Sequence, residues 1–124
     1  MDVNKLLKSV IDQDDASVVI CSPDHTIVYM NPAAIRRNAK SGGAGLLGKS
    51  LLNCHSPRAN VLINQVCAWF QKSPDNNVVY TFYNEKENKD VYMVALRDED
   101  GSYIGYYEKH VYRTRETRPM YEMP

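Results

Sequence analysis

Apolar residues in this chain change their spacing twice, and that change limits the folds open to it. They alternate in two short segments near the front, recur every third or fourth position in the middle, and alternate again in three longer segments at the end. Alternation belongs to strands and the longer period to helices. Strands in two groups on either side of helices describe an antiparallel α+β domain with helices over one face of the sheet. A doubly wound parallel sheet needs strands and helices to alternate, which they do not. At 124 residues the chain is one domain. A chain of that length buries roughly 65% of its unfolded surface, enough for a hydrophobic core without disulfides or a structural metal.

Val3, Leu6, Leu7, Val10 and Ile11 share one helical face behind a capping Asp2, which predicts an amphipathic helix over residues 2–12. Ser17–Cys21 and Thr26–Met30 read as strands joined by the turn Ser22-Pro23-Asp24-His25. Asn31-Pro32 is a helix start, and Ala33–Asn38 a short helix. The glycine-rich stretch Lys40–Ser50 is expected to be a mobile loop, with a helical turn near Leu46 and Leu47. Ser56-Pro57 repeats the cap-plus-proline signal and opens the longest helix, 57–72, with Ala59, Leu62, Ile63, Val66, Trp69 and Phe70 on its apolar face. Three strands come after it, Val78–Tyr83, Asp90–Arg97 and Tyr103–Tyr112, rich in the chain's nine tyrosines. The domain is bounded at 15–114, with the N-terminal helix in 1–14 and a tail at 115–124 expected to fray.

Fifteen basic residues balance fifteen acidic ones and are scattered, so the electrostatic footprint of a nucleic-acid binder is missing. Cys21, Cys54 and Cys67 are odd in number and lack metal-site spacing, which suits reduced thiols in a cytoplasmic protein. No segment has the length and apolarity of a signal peptide or a membrane span.

Taken together, several elements resemble a PAS domain. They are Val18-Val19-Ile20-Cys21 leading to Asp24 through Ala34, then Leu47-Gly48-Lys49-Ser50, then Arg97 through Gly105. Asn53-Cys54-His55-Ser56-Pro57-Arg58 resembles an Asn-Cys-His-Pro-Pro-Lys motif of a group of bacterial PAS proteins, departing from it at Ser56. The resemblance implies a five-stranded antiparallel sheet in the order 2-1-5-4-3, helices over one face around a small pocket, and a sensing or signalling role rather than an enzymatic one. It also implies two tests of cofactor. Flavin photosensors of the family carry their reactive cysteine where this chain has Leu51, so flavin is disfavoured. Other PAS domains ligate haem iron through a histidine near the long helix, which makes His55 the candidate haem or metal ligand; without C-x-x-C-H any haem is non-covalent.

Gly43–Ser50 matches G-x-x-x-x-G-K-[ST] letter for letter, but a phosphate loop must leave a buried strand and open a long helix. Polar residues precede it, and Pro57 interrupts within two turns any helix begun at Lys49, so nucleotide chemistry is not expected. Cys54-His55 precedes the cap of the long helix, where a thiolate is favoured and an imidazole can bind a proton, a metal or a ligand. The plain alternative makes Cys54 a small core residue and His55 an edge residue. As a nucleophile and base, adjacent residues rarely reach each other, and no orienting third group is visible. On the last strand, alternation sets Ile104, Tyr106, Glu108, His110 and Tyr112 on one side, with Lys109 facing solvent opposite. Cys54, His55, Tyr106, Glu108 and His110 are therefore the candidate ligand-binding residues.

Two function classes remain open. One is a sensor whose small-molecule ligand sits between helices and sheet. The other is a ligand-free dimerisation or protein-interaction module, whose core aromatics would fill that space. In either, the apolar face of the first helix must be covered, by its own sheet or by the same helix of a second copy in a symmetric homodimer.

Overall fold

The computed structural model describes residues 1–124. Its elements are α1 (Val3–Asp12), β1 (Val19–Cys21), β2 (Ile27–Met30), α2 (Pro32–Arg37), α3 (Pro57–Lys72), β3 (Val78–Asn84), β4 (Lys89–Arg97) and β5 (Tyr103–Tyr112). The strands form one antiparallel sheet in the order β2-β1-β5-β4-β3, as expected. All helices but α1 lie in the long connection between β2 and β3.

Register decides which residues meet on the helix-facing side. Cys21 and Ala95 flank Tyr106, Met93 pairs with Glu108, Val91 with His110 and Lys89 with Tyr112. The core gathers Cys21, Ile27, Met30, Ala34, Leu46, Cys67, Phe70, Met93, Ala95 and Tyr106. From α3 it takes Cys67 and Phe70, whereas Leu62 and Trp69, expected on the apolar face, remain exposed. The helix is thus rotated away from β3, and a gap stays open between them.

Strict alternation along β5 fails at one point. Leu96 pairs with Gly105 and Arg97 with Tyr103, so the strand bulges and skips Ile104. Ile104, expected on the inner side, is exposed, and Tyr103, expected outside, packs on Phe70 with ring centroids 6.0 Å apart. Gly105 makes this possible: at φ 153° a Cβ would stand 2.4 Å from the Cys21 carbonyl oxygen. Beyond the bulge the parity of Tyr106, Glu108 and His110 is restored.

β1 is shorter than expected because Asn31 replaces part of its ladder. The Val18 N–H donates to Asn31 Oδ1 at 2.9 Å, and the Asn31 N–H donates to the Val18 carbonyl at 3.1 Å. Lys40–Ser50 contains the helical turn expected near Leu46, and further turns lie beside it. The segment winds through short 3-10 turns at Ala39–Ser41 and Gly43–Leu46, and another comes at Leu51–Cys54. Gly48 N–H donates to the Ile27 carbonyl and Ile27 N–H to the Lys49 carbonyl, tying this segment to the edge of β2. No long helix starts after Lys49, so the phosphate-loop letters lack the required context.

The far end of α3 is closed by Arg97. Its Nη2 donates to the carbonyls of Phe70, Ser73 and Asn76 at 2.6, 2.9 and 3.0 Å, and its Nε to Asn77 Oδ1 at 2.7 Å. Phe70 lies in the last turn of α3, where carbonyls lack a donor within the helix, and Ser73 and Asn76 belong to the cap and the turn that follow. At the opposite end of the chain, α1 does not lie on its own sheet. Val3, Leu6, Leu7 and Val10 are each more than half exposed, and no residue of the helix is buried. Residues 113–124 contain no helix or strand.

Candidate functional site

A cavity of about 340 Å³ lies between the sheet and the helical connection. Its apolar wall comes from β1, β2 and β4 (Val19, Cys21, Ile27, Met30, Met93) and from Leu46, Leu51 and Ile63. Cys54, His55, Tyr106 and Glu108 also border it, so four of the five residues singled out from the sequence meet at one space. His110 does not border it. It stands behind Glu108, its Nε2 3.1 Å from Glu108 Oε1, with its side chain only 3% exposed. A second cavity of about 470 Å³ fills the gap between α3 and β3, lined by Leu62, Val66, Trp69 and Val79. His55, Ile63, Phe82, Met93 and Glu108 border both spaces, which makes them the junction.

Local sequence explains how His55 is held. Ser50 Oγ accepts the Leu52 N–H and starts the turn Leu51–Cys54, and Ser56 Oγ accepts the Ala59 N–H and starts α3. His55 sits between these caps in extended backbone, with Nδ1 3.0 Å from the Leu51 carbonyl oxygen. A carbonyl only accepts, so Nδ1 carries the hydrogen and Nε2 of the neutral ring keeps its lone pair. That lone pair is the one available to a ligand or a metal. Asn60 on α3 donates to the Leu52 carbonyl at 3.1 Å and fastens the turn to the helix. Cys54 is exposed rather than a core residue, and the His55 Nδ1 is committed to the Leu51 carbonyl rather than to the thiol.

Glu108 borders the cavity from β5, and this is why its side chain keeps 37% exposure on the inner face of the sheet. Burial pushes its carboxyl upward, but the hydrogen bond and charge of His110, with the charge of Arg37, outweigh it and hold the group below its ordinary value. Tyr106 is the opposite case, a phenol that burial pushes upward and keeps neutral. Its hydroxyl lies 2.8 Å from His25 Nδ1, while His25 Nε2 lies 2.9 Å from Asn64 Oδ1. The amide oxygen can only accept, so with a neutral ring Tyr106 donates to His25 and His25 donates to Asn64. This chain of hydrogen bonds links Tyr106, which borders the cavity, to α3.

His25 was not among the sequence candidates. Its backbone has φ 70°, a left-handed turn position, and the signal was a histidine closing the Ser-Pro-Asp-His turn. Arg37 was missed as well. It ends α2, borders the cavity, and donates from Nη2 to Glu87 Oε2 at 2.6 Å. The same carboxylate oxygen takes Asn84 Nδ2 at 3.0 Å and lies 3.1 Å from Lys89 Nζ, a lysine with no exposed surface that also stands over the Tyr112 ring. No grouping of three or more His, Cys, Asp or Glu side chains is placed to hold a metal ion.

No protein-family model matches the sequence, and no curated protein matches it. The architecture does have solved counterparts. The PAS domain of a protein from Colwellia psychrerythraea superposes with a TM-score of 0.65 at 11% identity, covering 89% of this chain and 96% of that one. A C-terminal domain from Streptococcus mutans gives 0.67 at 17% identity, covering 90% and 84%. The Aer2 receptor of Vibrio cholerae, described as a dual PAS-heme oxygen sensor, gives 0.55 at 21% identity, covering 79% and 94%. The chain has the PAS fold. No helix is long and apolar enough to cross a membrane.

Proposed function

We propose that this PAS-fold chain is a non-catalytic sensor module that binds a small molecule in the cavity bordered by His55, Tyr106 and Glu108 and passes the change to α1. The observation that carries the reading is the open space itself. Phe70 and Tyr103 pack against each other in and beside the core, Trp69 stays partly exposed, and none of the three enters the 340 Å³ space bordered by Met30, Leu46 and Met93. An interaction module with an occluded core lacks that room. An apolar wall with a few convergent polar groups is the usual form of a ligand site.

The route to α1 runs through β2 and α2. Met30 and Arg37 border the cavity, and the residue between their elements, Asn31, donates to the carbonyls of Ile11 at 2.9 Å and Ala16 at 3.0 Å. A ligand that shifts β2 thereby moves the end of α1. The unpartnered stripe of α1 supports pairing with the same helix of a second copy, so the change is read as a change in dimer geometry.

A second reading comes from the free Nε2 of His55. That nitrogen and the apolar α3–β3 gap would suit a haem: His55 would hold the iron, which would supply gas or redox sensitivity. Native mass spectrometry and an absorption spectrum of the protein purified from cells test both readings. A stoichiometric small mass that is lost on denaturation supports the sensor, and a Soret band assigns haem. A folded protein that carries nothing and takes up neither haemin nor any small molecule from a metabolite library is an interaction module instead.

A further inference from the structure

We infer that the ligand is an amine, with a protonated amino head at the junction of the two cavities and an apolar body of one ring or a short alkyl chain. This deepens the sensor reading and rests on it. The junction itself supplies the reason. Glu108 has one oxygen against His110 and is the one carboxylate bordering both spaces. His55 spends its Nδ1 hydrogen on the Leu51 carbonyl, so its Nε2 presents a lone pair. Phe82, the third polarisable group there, borders both spaces and offers a ring. A carboxylate, an imidazole lone pair and an aromatic ring each attract a cation with N–H donors.

An acidic ligand fits the same place poorly. Its carboxylate would face that of Glu108, and like charges repel. The basic groups nearby are engaged elsewhere. Arg37 and Lys89 converge on Glu87 at 2.6 and 3.1 Å, Arg37 borders only the interior cavity, and His110 is held behind Glu108. The walls and the volume set the body. Ile27, Met30, Leu46 and Met93 offer only apolar contact, and 340 Å³ is near the low end of ligand sites, which run from about 300 to 1,000 Å³.

Three probes of similar shape test the idea: 2-phenylethylamine, 2-phenylethanol and 3-phenylpropanoate, each titrated into the full chain by calorimetry at neutral pH. The amine is expected to bind at least tenfold tighter than the carboxylate. Glu108→Gln should weaken the amine at least tenfold and leave the alcohol within twofold. Because that variant loses the His110 pair and could be unstable, Phe82→Leu at the half-exposed junction gives an independent arm, weakening the amine severalfold more than the alcohol. Carboxylate binding as tight as the amine, or amine binding untouched by both substitutions, overturns the proposal. So does the absence of binding by all three at millimolar concentration. A carboxylate or alcohol that binds where the amine does not, and is excluded by Met93→Trp, overturns the amine while keeping the ligand-binding cavity. The mass spectrum of the purified protein judges that cavity separately.

Discussion

Asn31 donates from Nδ2 to the Ile11 carbonyl at 2.9 Å, so a fully buried side chain at the start of α2 holds the last turn of α1. The same nitrogen reaches the Ala16 carbonyl at 3.0 Å and the Asp14 carbonyl at 3.4 Å, while Oδ1 accepts the N–H groups of Val18 and Ala34, each at 2.9 Å. One carboxamide therefore joins α1, the entry to β1 and the cap of α2. Its position fastens the end of the N-terminal helix to the start of α2.

Removing that link should cost stability and loosen α1. Asn31→Ala leaves buried donors and acceptors without partners, at about 1–3 kcal/mol for each group stranded. Asn31→Asp keeps the shape but turns a carboxylate oxygen toward three carbonyls, and it should be at least as harmful. Urea unfolding measures the first effect, and amide exchange in residues 3–12 the second; protection in α1 equal to wild type in both variants would refute the linkage.

The dimer reading predicts that Leu7→Glu with Val10→Glu gives a monomer. Both side chains are exposed in the single chain, so the substitutions leave its core intact, yet they would bring four charges into a symmetric apolar interface without partners. Light scattering across a concentration series reads the outcome. A wild type that stays monomeric at the highest concentration counts against pairing through α1.

Gly105→Ala should destabilise the fold by about 2 kcal/mol or more, since the residue holds a glycine-only conformation and its new Cβ would meet the Cys21 carbonyl oxygen at 2.4 Å. The damage should centre on the β1–β5 pair, where Cys21 lies opposite Tyr106. Chemical denaturation of Gly105→Ala against an exposed control, Ile104→Ala, separates the backbone effect from lost surface area. Equal midpoints would show that the bulge tolerates a side chain.

Acid should weaken the protein through Glu87 and Glu108. For each, burial raises the carboxyl and partners overcome it: Lys89, Arg37 and His110 around Glu87, and His110 and Arg37 around Glu108. Their folded values lie below the ordinary 4.5, so below that pH the unfolded chain takes up protons first. The stability they add is present above about pH 5 and lost as pH falls through the folded values. Glu87→Gln and Glu108→Gln should each flatten the acid limb of a stability-against-pH curve measured from pH 7 to 3. A limb unchanged in both would place the acid-sensitive groups elsewhere.

Legibility in the sequence tracked the range of the interactions involved. Caps and periodicity are local, and so Asp2, Asn31 and Ser56 mark helix starts where their side chains do accept backbone N–H groups. Alternation placed Tyr106 and Glu108 on one strand face, because a period of two leaves no other choice until a bulge intervenes. The bulge itself was hidden, since Gly105 needs its conformation only because the Cys21 carbonyl comes close, and Cys21 is far away in the chain.

The candidate site divides along the same line. Its strand residues and His55 were visible as residue types at element boundaries. Which of them border the space was decided by packing: α3 turns Cys67 and Phe70 inward rather than Leu62 and Trp69, opening the gap beside β3, and His110 ends up behind Glu108 instead of beside it. His25, Asn64, Arg37 and Glu87 entered through hydrogen bonds that span 39, 50 and 81 residues of sequence. The elements, their order and the faces of the strands could be read from the chain alone, because they depend on neighbours a few residues apart. The cavity, its junction and the hydrogen-bonding of its histidines arise only on folding, because they require groups from separate elements to meet.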